Sequence, residues 1–178
     1  MQRSQRPTPC AVATLALALL GGASSAMAHN DGIETRLKGF NEVPQALSTP
    51  ASGRFKLFLN EKTGAVGYEL SYSGFPTNVL MAHIHFGKRG LNGGIMVWLC
   101  QTTTNPDPTG RSPTCPQQGG TVTGELRAEN VVGPAAQGIA ATEFDEVVAA
   151  IRAGAGYVNV HSVQYPGGEL RGQLRDDD

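Results

Sequence analysis

The sequence predicts an all-β domain, a sandwich or barrel of short strands with one short covering helix. Three observations predict it. Apolar residues recur at every second position in several short runs, the period of a strand with one buried face. Turn-forming stretches rich in Gly, Pro and Asn separate those runs, and 23 glycines are spread along the chain, as short-stranded sandwiches and barrels require. Helical spacing of apolar residues occurs in one place.

The chain has 178 residues, enough for one domain with a real core. Its opening segment reads as a leader. Arg3 and Arg6 form a basic start, Ala11 to Leu20 is an apolar run too short for a stable membrane span, and Ala26-Met27-Ala28 offers a small-residue cleavage site. We expect a signal peptide over residues 1–28 and a single domain over residues 29–178, in a protein that is secreted or periplasmic.

Strands are expected at Ile33 to Lys38, Arg54 to Leu59, Ala65 to Tyr72, Met81 to Phe86, Ile95 to Leu99, Thr121 to Arg127, Tyr157 to His161 and Glu169 to Leu174. In the second, Phe55, Leu57 and Leu59 share a face; in the third, Val66, Tyr68, Leu70 and Tyr72 do. The Asn60–Gly64 segment between them makes the pair a hairpin. Phe144, Val147, Val148 and Ile151 stand at helical spacing, Thr142 to Asp145 resembles a capping box, and Gly154 supplies a stop. This helix carries no functional signal and is expected to cover one end of the fold. Trp98 and Tyr68 read as core.

Of three cysteines, Cys10 lies in the leader, which leaves Cys100 and Cys115 as an even pair in an exported chain. One disulfide across the Thr- and Pro-rich loop between them is the expectation. Of the 14 Lys and Arg, Arg3 and Arg6 precede residue 28, so 12 remain against 15 Asp and Glu. No basic patch marks a nucleic-acid partner. The chain has no G-x-S-x-G signature. The Gly87–Gly94 stretch precedes no helix and reads as a loop, not a phosphate cradle.

Several ordered blocks carry a family resemblance. Asn41-Glu42-Val43-Pro44 with Ala51-Ser52-Gly53, then Ala82-His83-Ile84-His85 with the Gly-rich stretch to Trp98, then Tyr157-Val158-Asn159-Val160-His161 and Gly167 to Leu174 together resemble the CHRD (chordin-domain) family. The resemblance implies an immunoglobulin-like or superoxide-dismutase-like β-sandwich in an exported protein. It does not carry over growth-factor binding, because the cysteine-rich modules of the family's namesake are missing.

The histidines hold the chemistry. His83 and His85 stand two apart on a predicted strand, on one side, with Cβ atoms roughly 7 Å apart. If Val158 and Val160 are buried, His161 shares the opposite, polar side with Tyr157 and Asn159. Adjacent strands would then bring His83, His85 and His161 into a surface metal site, which resembles part of the copper site of copper–zinc superoxide dismutases. Four histidines are too few for that enzyme's copper and zinc sites together, so dismutase activity is not expected. Imidazole ligation and the Irving–Williams order favour copper. His29 is a further candidate: as a mature N-terminus it would chelate through its α-amine and ring. Glu42, Glu169 and Arg171 are either groups that orient imidazoles or turn residues in surface hydrogen bonds and ion pairs.

Two function classes follow. One is an exported copper-binding protein for storage, delivery or redox chemistry. The other is a metal-free structural or protein-interaction module of the envelope or secreted matrix, its partner unidentified.

Overall fold

A computed structural model describes residues 32–60 and 65–175. The expected leader, His29 and residues 61–64 and 176–178 lie outside the described residues, as do the side chains of Leu59 and Asn60.

Eight strands form in the order β1 (Gly32–Lys38), β2 (Ser52–Asn60), β3 (Ala65–Ser73), β4 (Val79–Phe86), β5 (Ile95–Cys100), β6 (Gly120–Leu126), β7 (Gly156–Ser162) and β8 (Leu170–Leu174). Each overlaps a run expected to be a strand; β2 and β3 alternate clearly, whereas β5 is a continuous apolar run, Ile95–Cys100. The spatial order is β5-β4-β7-β8-β1-β2-β3-β6, with every pairing antiparallel. β1 and β8 meet at a single residue pair, Lys38 opposite Arg171. The sheet therefore divides there into two four-stranded leaves, β1-β2-β3-β6 and β5-β4-β7-β8, and is a β-sandwich.

The leaves enclose one core. Phe55, Leu57 and Leu70 from one leaf meet Ile84, Leu99, Val158, Val160 and Leu170 from the other, all at most 1% exposed. Each such side chain stabilises by about 1.5–3 kcal/mol on burial. Tyr68 spans the gap, donating its hydroxyl to the Leu99 carbonyl at 2.7 Å. The Cys100–Cys115 disulfide, with Cα atoms 5.0 Å apart, holds the loop that leaves β5, and Tyr72 donates to the Pro116 carbonyl from β3. These two tyrosines thus tie β3 to β5 and to the loop that follows it.

The helix α1 (Phe144–Arg152) closes one end, setting Phe144, Val147, Val148 and Ile151 against Ile33, Leu57, Val66 and Leu126. It ends as Gly154 predicts. Gly154 has φ +65°, its N–H bonds to the Ile151 carbonyl, and the Ala155 N–H reaches back to Ala150, a Schellman arrangement. The expected capping box at Thr142 does not form. Thr142 adopts φ +70°, which an extended N-cap cannot have. Glu143 takes the N-cap place without a side-chain cap, its carboxylate accepting the Ala140 N–H instead.

Candidate metal centre

Strand parity sorts the β5-β4-β7-β8 leaf into two faces. Ala82, Ile84, Val158, Val160, Leu170 and Leu174 point into the sandwich. Met81, His83 and His85 on β4, Tyr157, Asn159 and His161 on β7, and Arg171 and Gln173 on β8 occupy the other face. Register aligns them in rows: Trp98, His83, Asn159 and Arg171 in one, His85, Tyr157 and Gln173 in the next, Met81 and His161 in a third.

That face is not a surface, and here the expectation of exposed imidazoles is corrected. His83 is 0%, His85 9% and His161 6% exposed. Three connections fold over them. In the segment after β1, Glu42 accepts a hydrogen bond from Asn159, and Asn41 donates to the Arg171 carbonyl. In the segment after β4, Gly93 and Leu91 present carbonyls inward. In the segment after β7, Pro166 does the same. Asn92 ties the first cover to the second through the Val43 carbonyl. Period-two patterning identifies the polar side of a strand but carries no information on what folds over it.

The ligand-capable atoms of His83, His85 and His161 lie within 4.8 Å of one another. Their hydrogen bonds fix the tautomers. His85 Nδ1 faces the Gly93 carbonyl at 2.9 Å and His161 Nδ1 the Pro166 carbonyl at 3.0 Å. A carbonyl only accepts, so both Nδ1 atoms carry the proton and both Nε2 atoms keep a lone pair. His161 Nε2 sits 3.2 Å from His83 Nδ1. His85 Nε2 and His83 Nε2 are buried without a partner. A backbone-held Nδ1–H, as on His85 and His161, is the usual outer arrangement of a metal-bound imidazole, and it leaves His85 Nε2 free, while His161 Nε2 faces His83 Nδ1. Two nitrogens on a tetrahedral ion with bonds near 2.0 Å stand about 3.3 Å apart, close to the His83–His161 separation.

Burial keeps the cluster neutral. Loss of solvation, reinforced by His161 and His85, lowers the His83 pKa to about 2. Loss of solvation lowers His85 and His161 to about 4 each, against the opposing effect of their carbonyl partners. Neutral imidazole is the form that binds a metal.

Aromatic contacts pack the rings. Trp98 stands edge-on to His83 with centroids 4.2 Å apart, and Tyr157 stacks on His85 at 4.8 Å and 8°. Trp98 is therefore half-buried against the histidines and not a core residue. The Arg171 guanidinium lies 3.5 Å from the Tyr157 ring centroid and donates to Asn92 and to the Leu91 carbonyl. The Tyr157–Arg171 stack is absent from the sequence reading, although the alternation of Arg171 and Gln173 with Leu170 and Leu174 signals it.

Neither acidic candidate holds an imidazole. Glu42 bonds Asn159, and burial pushes its carboxyl up to about 7. Glu169, fully buried, accepts from Thr49 and Ser162 and so pins the first cover to β7 and β8. Arg171 forms no surface ion pair. The imidazole N–H groups go to backbone carbonyls because the covering loops, and not neighbouring carboxylates, reach them.

Among the described residues no helix is long and apolar enough to cross a membrane. The family model described as CHRD domain matches residues 33–174. No curated protein and no solved structure matches the chain.

Proposed function

Because the chain belongs to the CHRD family, we propose that it is an exported single-domain module, residues 29–178 after loss of a leader at 1–28, that binds one copper ion through His83, His85 and His161. The observation that carries the reading is the convergence of one ring nitrogen from each of His83, His85 and His161 to within 4.8 Å, with His85 Nε2 buried and unpartnered. A polar atom buried without a hydrogen bond costs about 1–3 kcal/mol, and an ion bound by His85 Nε2 removes that cost there. Copper is favoured by the imidazole donors. Storage, delivery and redox use are all compatible with such a centre. His29, as a free N-terminus, is an additional ligand of the exported form in this proposal.

The test is metal stoichiometry on the exported protein. One tight equivalent of copper is expected, lost in His85→Gln and His161→Gln variants that keep a wild-type circular dichroism spectrum. Undiminished binding in both variants refutes the assignment. N-terminal sequencing decides the His29 contribution, since a start at Met27 removes it. A second reading, a metal-free interaction module, is favoured by one observation: His83 Nδ1 and His161 Nε2 satisfy each other at 3.2 Å without an ion. Absence of bound metal after loading with copper or zinc would select it.

A further inference from the structure

β4 carries a fourth donor on the histidine face. Met81 precedes His83 by two residues and is the direct cross-strand partner of His161. Partners directly opposite in an antiparallel pair project to the same side, with Cβ atoms about 4.5–5.5 Å apart. The register runs unbroken from Met81–His161 to His85–Tyr157, and its shift falls on the far side of Met81, toward Val79. Parity therefore holds across the cluster. Burial agrees: Ala82 and Ile84 belong to the sandwich core, whereas half-buried Met81 does not.

Charge narrows the ion. The three imidazoles are neutral, and no carboxylate belongs to the cluster. A buried guanidinium, Arg171, rests on Tyr157, which itself stacks on His85. The cost of burying an ion grows with the square of its charge, so a dication costs about four times as much as a monocation in surroundings that supply no negative ligand. A thioether beside imidazoles selects soft ions, copper(I) among them.

We propose that the centre holds a soft monovalent coinage-metal ion, copper(I), with the Met81 sulfur as fourth ligand beside His83, His85 and His161. This rests on the histidine assignment above. It makes the protein a keeper or carrier of copper(I) and gives it affinity for silver(I), which has the same charge and softness.

The test compares the full exported chain with Met81→Leu, a near-isosteric change that the fold should tolerate. Copper(I) is titrated without oxygen against a chromogenic chelator, and silver(I) and zinc(II) are titrated in parallel. Losing a ligand should weaken copper(I) and silver(I) binding by about tenfold or more, the scale seen even for outer partners, while zinc(II) binding stays unchanged. X-ray absorption of the copper(I) form should show one sulfur neighbour that vanishes in Met81→Leu. Unchanged copper(I) and silver(I) affinities in Met81→Leu, with no sulfur neighbour in the wild type, overturn the proposal and leave the histidine site standing. Binding of none of the three metals by the wild type overturns both.

Discussion

Acid should destabilise the metal-free protein, and the structure gives the size of the effect. His83, His85 and His161 are neutral in the fold, with pKa values of about 2, 4 and 4, against about 6.5 in the unfolded chain. Between those values the unfolded chain binds protons that the native state refuses. Stability is therefore full above about pH 6.5 and falls as pH drops toward the folded values. From pH 7 to pH 5 each ring costs on the order of 2 kcal/mol, about 5 kcal/mol for the three. Glu42 acts in the opposite sense. Its folded pKa of about 7 exceeds the ordinary value of 4.5, so over the same interval the native state gains protons and about 2 kcal/mol of stability. The net loss is about 3 kcal/mol, a large part of a typical domain's stability. Urea unfolding in a strong chelator at both pH values measures it, with Trp98, the single tryptophan, reporting beside His83. A stability unchanged between the two pH values, or resonances of His83, His85 or His161 titrating near pH 6.5 in the folded state, would refute the burial argument.

Other outcomes follow from single contacts. Replacing Cys100 and Cys115 by Ser should cost about 3 kcal/mol, the chain-entropy value for closing a loop of this size, read as a lower unfolding midpoint. The untreated exported protein should show no thiol reactive to alkylation without reductant. Gly93→Ala places a Cβ 1.7 Å from the Phe86 carbonyl oxygen, which backbone cannot accommodate. The loop must move, the His85 Nδ1 acceptor moves with it, and metal affinity should fall about 10- to 100-fold, as for other lost outer partners. Tyr157→Phe leaves the Gly93 N–H without its hydroxyl acceptor at 3.2 Å and should cost about 1–3 kcal/mol in denaturant unfolding.

Much of this was legible in the chain because a strand's pattern is local. The period-two signal of β2 and β3 lies within their own residues, and so does the parity that puts His83 with His85 and Tyr157 with His161 on one side; β5 instead shows as a continuous apolar run. That β4 and β7 are neighbours is a matter of topology. It was available only as a condition, since Met81 to Phe86 and Tyr157 to His161 are separated by two strands and a helix. The cover was invisible. Gly93 and Pro166 contribute only carbonyls, which every residue has, and their aim depends on loop conformations that composition does not encode. For the same reason Glu42 and Glu169, acidic and near turns, looked like surface groups. They are instead the buried pins that hold the cover down.

The cover bears on how the two functional readings should be weighed. An interaction module needs polar residues at its surface, and histidines placed there need no further account. Here the polar side of one leaf is sealed beneath the segments after β1, β4 and β7, and the seal is built from buried polar contacts: Glu42 to Asn159, Glu169 to Thr49 and Ser162, and Arg171 to Asn92 and Leu91. Replacing such a face with apolar side chains would be simpler and at least as stable. Among the described residues three buried side-chain atoms lack a hydrogen bond, and two of them are ring nitrogens of this cluster. Orphaned polar atoms are rare in native interiors. Their concentration on two neighbouring rings, with one nitrogen of each of the three histidines within 4.8 Å of the others, is what a site for an ion offers and what a simple packing role leaves unexplained.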